Sequence, residues 1–339
     1  MRGPSRRVTV VVTAIALLVV AVIAVVILVV RAAPRAPMRP LALSGDIAAH
    51  DPAIVVGSHG SPWFVFATGD DSHDGTIQIR ESPDGHHWRF VGTVFDQKPA
   101  WLVDAVPGVG ALWAPDVHRH GDTWYLYYAA STFGSNHSVI ALATNTTLDP
   151  SAPGYRWVDR GPVIASETGG DFNAIDPNVV EDAAGHPWLA FGSFWSGIRM
   201  VRVRYPSGLR ADAATPLRLA NRGTAEDAIE AAFVVRHGGW YYLFASFDHC
   251  CQGVSSTYNI DVGRSRSVTG PYLDEAGHPM LDGGGTRLLA SAGRYIGPGG
   301  ESYSQGYLAY HYYDGAANGR FALGIRRVDW QDDGWPRLR

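Results

Sequence analysis

The segment DPNVVEDAAGHPWLAF, residues 176–191, holds the pattern on which the whole chain is built. It opens on an acid followed by proline, runs through a short apolar strand, turns at Gly185 and enters a Trp-led strand. The same order returns as DPAIV (51–55) with WFVF (63–66), and as DV (116–117) with WYLYY (124–128). It returns again as EAAFVV (230–235) with WYYLF (240–244). A fifth, weaker copy is ESY (301–303) with GYLAYH (306–311). The period is about 55–65 residues, far longer than a hairpin and in the range of a propeller blade.

Each copy continues into a third strand: TIQIRES, SVIALATN, IRMVRVRY, NIDVGRS and ALGIRRV. After the N-terminal segment, no stretch keeps a 3.6-residue apolar period over 10–15 residues. Short strands grouped into equal units predict an all-β fold, a five-bladed β-propeller. A pair of irregular β-sandwiches is the other arrangement of such strands, and the five-fold repeat makes it less attractive. Residues 45–339 are expected to form the propeller, a size that buries a large core without staples. In a propeller the acid that opens the first strand in four blades is expected to ring one end of the central channel.

Residues 8–30 are 23 in a row without a charge, preceded by Arg2, Arg6 and Arg7 and followed by Arg31. Such a run is long enough to cross a bilayer of about 30 Å. It exceeds the apolar part of a cleavable signal, and no small-x-small site follows cleanly. The expected organisation is a basic segment at 1–7, a single transmembrane signal-anchor helix at 8–30 and a Pro- and Arg-rich linker at 31–44. The propeller would then lie outside the cytoplasm, tethered to the membrane; secretion after signal cleavage is the alternative. The net charge of −4, with no basic cluster beyond the N-terminus, argues against a nucleic-acid partner. No protein partner is inferred.

Taken singly, Asp51 and Asp176 are turn initiators before proline, and Glu230 is an exposed strand-start residue. Their shared place in the repeat adds a second reading. Clustered carboxylates repel, so at least one is expected to hold a proton near neutrality. A protonated and an ionised carboxyl side by side are what glycosidic cleavage uses. A metal cage built from the same acids competes, although oxygen cages usually come from one loop. Eleven Trp and fifteen Tyr serve either as core or as flat surfaces that stack on sugar rings.

Several segments resemble the arabinanases of glycoside hydrolase family 43 over about residues 50–336. They are HDPAI (50–54), LWAPDV (112–117), STFGSN (131–136), NAIDPN (173–178), GSFWSGI (192–198) and AIEA (228–231). FDHCCQG (247–253), STY (256–258) and HYYD (311–314) continue the series in order. The resemblance implies a five-bladed propeller that cleaves internal α-1,5-L-arabinofuranosidic bonds of arabinan with inversion. It assigns Asp51 as general base, Glu230 as general acid and Asp176 as the carboxylate that tunes the acid. It places Trp113, Phe133 and Trp195 along the sugar subsites, with Asn178 and Ser196 as polar partners. Core packing is the other reading of the three aromatics.

The resemblance also places His311 beside a channel ion, usually calcium, whose other ligands are water. From its chemistry alone a single histidine is a poor calcium ligand, and a core histidine is the plain reading. Ala-Ala follows Glu230 where relatives often carry Ala-Pro. The absence of a histidine after GPG (297–299) favours arabinan over xylosidase-like substrates. An exo-acting α-L-arabinofuranosidase or β-xylosidase is the alternative on the same fold, and a non-catalytic sugar-binding propeller is a third reading. Cys250 and Cys251, the only cysteines, are either a vicinal disulfide or two thiols.

Overall fold

The computed structural model describes residues 40–339, His59 excepted. The expected membrane helix at 8–30, the basic segment at 1–7 and most of the 31–44 linker lie outside the described residues. Among the described residues no helix is long and apolar enough to cross a membrane.

Five sheets follow one another along the chain. The first contains Ala53–Val55 (β2), Trp63–Ala67 (β3), Gln78–Ser82 (β4) and His87–Thr93 (β5). Ser44–Gly45 (β1) adds to its outer edge, parallel to β5. The second is Leu112–His120 (β6), Thr123–Ala130 (β7), Ser138–Asn145 (β8) and Val158–Ser166 (β9). The third is Asn178–Glu181 (β10), Pro187–Phe191 (β11), Ile198–Arg202 (β12) and Leu217–Ala220 (β13). The fourth is Ile229–His237 (β14), Trp240–Phe247 (β15), Asn259–Ser265 (β16) and Thr286–Leu289 (β17). The fifth is Tyr295–Ser304 (β18), Tyr307–Asp314 (β19), Arg320–Trp330 (β20) and Pro336–Leu338 (β21). The innermost strands β2, β6, β10, β14 and β18 touch in a closed cycle. The fold is a five-bladed β-propeller, as the repeat predicts.

The second strand of each repeat is apolar on both sides because both sides of a blade are covered. In β7, Leu126, Tyr128 and Ala130 enter the core shared with the first blade. The alternate residues Tyr125 and Tyr127 enter the core shared with the third. Strand alternation thus feeds two cores from one strand. Phe244 of β15 packs with Leu308 and Tyr310 of the fifth blade, and Ala309 of β19 packs with Val65 of the first. Each such fully buried large apolar side chain contributes about 1.5–3 kcal/mol.

Ring closure is done by side chains and by the first described residues. Ile54 N–H donates to Ser302 Oγ at 2.9 Å and Val56 N–H to Ser304 Oγ at 3.1 Å. Leu41 N–H donates to the Ile325 carbonyl, while Ser44 pairs with His87. Residues 41–45 therefore strap the last blade to the first. This part of the expected linker belongs to the propeller, because Leu41 and Leu43 pack on its core.

The expected register of the acids is corrected. The equivalent positions are the left-handed residues Asp51, Ala114, Asp176, Ala231 and Gly300, with φ of 49°, 42°, 57°, 54° and 61°. These five, with the residues after them, line a small axial cavity of about 30 Å³. Two positions further on stands a staple to the next blade. Asp116 Oδ2 accepts from Val179 N–H and Asn178 Oδ1 from Val234 N–H, each at 2.8 Å. Ser302 makes the same link to Ile54. So Asp51 and Asp176 are in register, Glu230 falls one residue early, Glu301 one late and Asp116 two late. Asp116 is a buried staple with its carboxyl pushed up to about 6 by burial, and it does not line the cleft.

Candidate active site

Above the axial cavity opens a cleft of about 830 Å³. Asp51 enters it just before β2, Asp176 just before β10, and Glu230 from β14. Three blades thus deliver three carboxyls to one cleft. In β14 the pairing with β15 shifts between Glu230 and Phe233. The extra residue of a bulge re-aims the side chain beside it, which brings Glu230 into the group despite its offset.

Asp51 is held by two donors on one oxygen. Thr68 Oγ1 donates to Oδ2 at 2.6 Å, and His50 Nδ1 lies 2.8 Å from the same atom. Thr68 is itself fixed by Ala114 N–H at 2.9 Å. Burial raises the Asp51 carboxyl, but His50, His311 and Thr68 outweigh it and hold the group well below the usual carboxylate range. Asp51 is therefore ionised across the working pH range.

Glu230 sits in the opposite condition. Burial raises its carboxyl, Ser193 and Tyr258 lower it in part, and the Asp51 charge raises it again, for a net upward shift. Ser193 Oγ donates to Oε2 at 2.6 Å and Tyr258 Oη to Oε1 at 2.7 Å. Asp176 is raised further by burial, then by the charges of Glu230 and Asp51. Its Oδ2 accepts from Ala231 N–H at 2.9 Å, next to Glu230 in the chain. Both carboxyls of the Asp176–Glu230 pair are pushed upward, and the two titrate as one unit. The arrangement offers an ionised base on one blade and a pair of carboxyls that resists losing its last proton on two others.

The aromatic expectations fall on the cleft wall. Trp113, Phe133 and Trp195 all line it, and Phe133 is 84% exposed, which core packing does not explain. Two expectations are corrected. Asn178 is buried, and its amide is spent on Val234 N–H and on Asp116. Ser196 is buried, and its hydroxyl accepts from Arg199 Nη2 at 2.7 Å. Neither reaches the cleft. His311 is fully buried behind Asp51, its ring stacked on His50 at 3.6 Å. Cys250 and Cys251 are joined as a vicinal disulfide and line the cleft.

His50, Thr68, Ser193 and Tyr258 carry no role in the sequence reading. His50, Ser193 and Tyr258 lie inside matching segments, but Ser193 and Tyr258 meet Glu230 from other parts of the chain, and His50 is held by Tyr313. Glu301 also gains a place. It is buried beside the axial cavity, accepts from Ser246 Oγ at 2.6 Å, and burial pushes its carboxyl up to about 8. A folded pKa above the unfolded one means that folding retains a proton between about pH 4.5 and 8. Its contribution is complete below the lower value and is lost as pH rises through the upper. Glu301→Gln should therefore raise Tm by a few °C at pH 8–9 and by less at pH 5, read by thermal melts. Equal shifts at both pH values would rule out the buried proton.

The family model of the glycosyl hydrolases family 43 matches residues 45–336. An extracellular endo-alpha-(1->5)-L-arabinanase of Bacillus subtilis is 41% identical over 294 residues, covering 85% of this chain and 86% of the relative. An extracellular exo-alpha-(1->5)-L-arabinofuranosidase of Cellvibrio japonicus is 38% identical over 309 residues, covering 86% of each. Among solved structures, a family 43 endo-arabinanase from Bacillus licheniformis superposes with a TM-score of 0.82 at 39% identity, covering 88% of this chain and 99% of that one. A Cellvibrio cellulosa alpha-L-arabinanase complexed with arabinohexaose superposes with a TM-score of 0.80 at 37% identity, covering 87% and 96%. With the propeller, the three converging carboxyls and a family match over nearly all of the described chain, this protein belongs to glycoside hydrolase family 43 and is a glycosidase.

Proposed function

We propose that this chain hydrolyses internal α-1,5-L-arabinofuranosidic bonds of arabinan, with inversion. The observation that carries the proposal is the convergence of Asp51, Asp176 and Glu230 on one aromatic-lined cleft. Asp51 takes a proton from water, whose oxygen bonds to the anomeric carbon. The bond from that carbon to the leaving oxygen breaks, and Glu230 gives that oxygen its proton. Asp176 keeps the Glu230 proton in place by charge and by its hold on the Ala231 amide. Trp113, Phe133 and Trp195 offer flat faces to successive sugars.

Exo action is the second reading, favoured by the name of the Cellvibrio japonicus relative. The product profile on linear debranched arabinan decides between them. Mixed oligomers early in the reaction are expected; arabinose or one short product from the first minute would mean exo action.

Calcium belongs with the proposal. His311 Nε2 is buried and has no hydrogen-bond partner among the described residues. His50, Asp51 and His311 lie close enough to share an ion, but both donors on Asp51 Oδ2 are already committed to it. Asp51 N–H donates to His311 Nδ1 at 3.2 Å, so the proton of the neutral ring sits on the buried Nε2. A hydrated ion held through Nε2, with water as its other ligands, would require that proton to move to Nδ1 at the expense of the Asp51 amide bond, and the residues form no cage of protein oxygens. Such an ion would supply positive charge close to Asp51.

The chain acts outside the cytoplasm, in keeping with the extracellular relatives. Residues 8–30 serve as its membrane anchor in this proposal. Fractionation of a bacterial host expressing the full chain tests that. Activity should stay with washed membranes and require detergent for release. Activity in the medium, with a mature N-terminus between Ala32 and Ser44, would show a cleaved signal instead.

A further inference from the structure

A line of hydrogen bonds runs from the vicinal disulfide to Asp51. Cys251 N–H donates to Tyr313 Oη at 2.7 Å. Tyr313 Oη lies 2.8 Å from His50 Nε2, and His50 Nδ1 lies 2.8 Å from Asp51 Oδ2. The direction of every bond follows from the end groups. An amide only donates, so Tyr313 accepts there and gives its single proton to His50 Nε2. With Nε2 accepting, the neutral imidazole carries its proton on Nδ1 and donates it to Asp51, which as a carboxylate only accepts.

We propose that Tyr313 and the Cys250–Cys251 disulfide are positioning elements for Asp51, acting through His50. The inference rests on the reading of Asp51 as the general base. Thr68 and His50 both donate to Oδ2, so the carboxylate plane is set. The His50 ring is held in turn by stacking on His311 and by the edge of Phe321 at 5.3 Å. Its remaining freedom, rotation towards or away from Asp51, is removed by Tyr313. Tyr313 is 4% exposed and packs against both histidines, so its hydroxyl is the one part not explained by core burial.

The far end needs the disulfide. Cys251 has φ of 66°, a conformation uncommon for a residue with a side chain. The bond to its neighbour restrains the peptide that presents the N–H. The loop around it is pinned by Gln252 N–H to Ser256 Oγ at 3.0 Å and Thr257 N–H to the His249 carbonyl at 2.9 Å. Both cysteines lie on the cleft wall, where a buried metal-type or purely structural role has no need to place them.

The test separates the base side of the reaction from the acid side. Tyr313→Phe keeps the ring and removes only the hydroxyl. It is compared with wild type, Asp51→Ala and Glu230→Gln on a linear arabino-oligosaccharide. The second substrate is an α-L-arabino-oligosaccharide bearing a 2,4-dinitrophenolate leaving group, which departs without an acid. Tyr313→Phe should lower kcat by about 10–100-fold, the scale set by small misplacement of a reacting group. KM should stay within about two-fold, and the loss should be equal on both substrates. The Glu230→Gln loss should shrink on the activated substrate. The paired change Cys250→Ser with Cys251→Ser should give a smaller kcat loss of the same pattern. Should that variant not fold, phosphine reduction of the folded wild-type enzyme should give the same loss, reversed on reoxidation. Unchanged kcat in Tyr313→Phe, a loss confined to the natural substrate, or a change in KM alone overturns the proposal. Unchanged kcat after the disulfide is opened removes the disulfide from it. If Asp51→Ala itself keeps its rate on the activated substrate, the base reading has failed, and that outcome is distinct.

Discussion

Glu230→Ala and Asp51→Ala should each lower kcat on linear arabinan by at least about 10²–10⁴-fold, the span of general acid–base assistance, with the protein still folded. Loss of water positioning deepens the Asp51 effect. Stability should survive because neither residue belongs to a blade core. Both are half-buried at the cleft, and the five inter-blade cores do not include them. Removing Glu230 leaves Ser193 Oγ and Tyr258 Oη without their carboxylate, but both hydroxyls face a cleft that water can enter. The measurement is kcat by reducing-sugar release, alongside a thermal melt. A folded Glu230→Ala enzyme with near-normal turnover on arabinan would falsify the assignment of the acid.

Asp176→Asn should change the shape of the pH–rate profile as well as its height. Asparagine keeps an oxygen that can accept from Ala231 N–H, and it tolerates the left-handed backbone that Asp176 occupies at φ 57°. The substitution therefore removes the charge with little else. Burial is the largest cause of the raised Glu230 carboxyl, and it remains. The charge shared within the Asp176–Glu230 pair is lost. With one negative neighbour fewer, the ionised form of Glu230 costs less, so its proton leaves at lower pH. The basic limb of the kcat/KM profile should move to lower pH, with a loss of rate at neutral pH. An unmoved basic limb would leave Asp176 with a purely positional role through the Ala231 amide. A limb moved to higher pH would mean that the pair is not coupled by repulsion at all.

The blade count was legible in the sequence because each blade repeats one local pattern. An acid or turn residue, a short strand, a glycine turn and a strand led by Trp, or by Tyr307 in the fifth copy, recur five times, and the strand periodicity is local chemistry. Thr123–Ala130 reads as a continuous apolar strand, and it is one because neighbouring blades cover both its faces. Asp51, Asp176 and Glu230 were also legible, as polar residues at strand starts in a fold that brings strand starts together. Their register was not. The equivalent positions are marked by left-handed backbone at Asp51, Ala114, Asp176, Ala231 and Gly300, a property that several residue types share and that letters do not display.

The fates of Asn178 and Ser196 show the same limit. Each sits two residues from, or beside, a residue that reaches the cleft, yet each turns inward to Val234 or Arg199. Asp176 stands left-handed just before β10, and Phe194 and Trp195 are left-handed in the turn before β12, so neither neighbour follows the simple alternation of a strand. Sequence spacing therefore predicts which blade a residue belongs to and not which way it points. The line from Cys251 through Tyr313 and His50 to Asp51 lies further still from sequence reasoning. It joins the fourth blade, the fifth and the first across up to 263 positions of chain. The sequence by itself determined the repeat and the three carboxyls, because both follow from local pattern. Only the closed ring of blades decided which donors meet each carboxyl, because that depends on which strand edges the tertiary structure sets side by side.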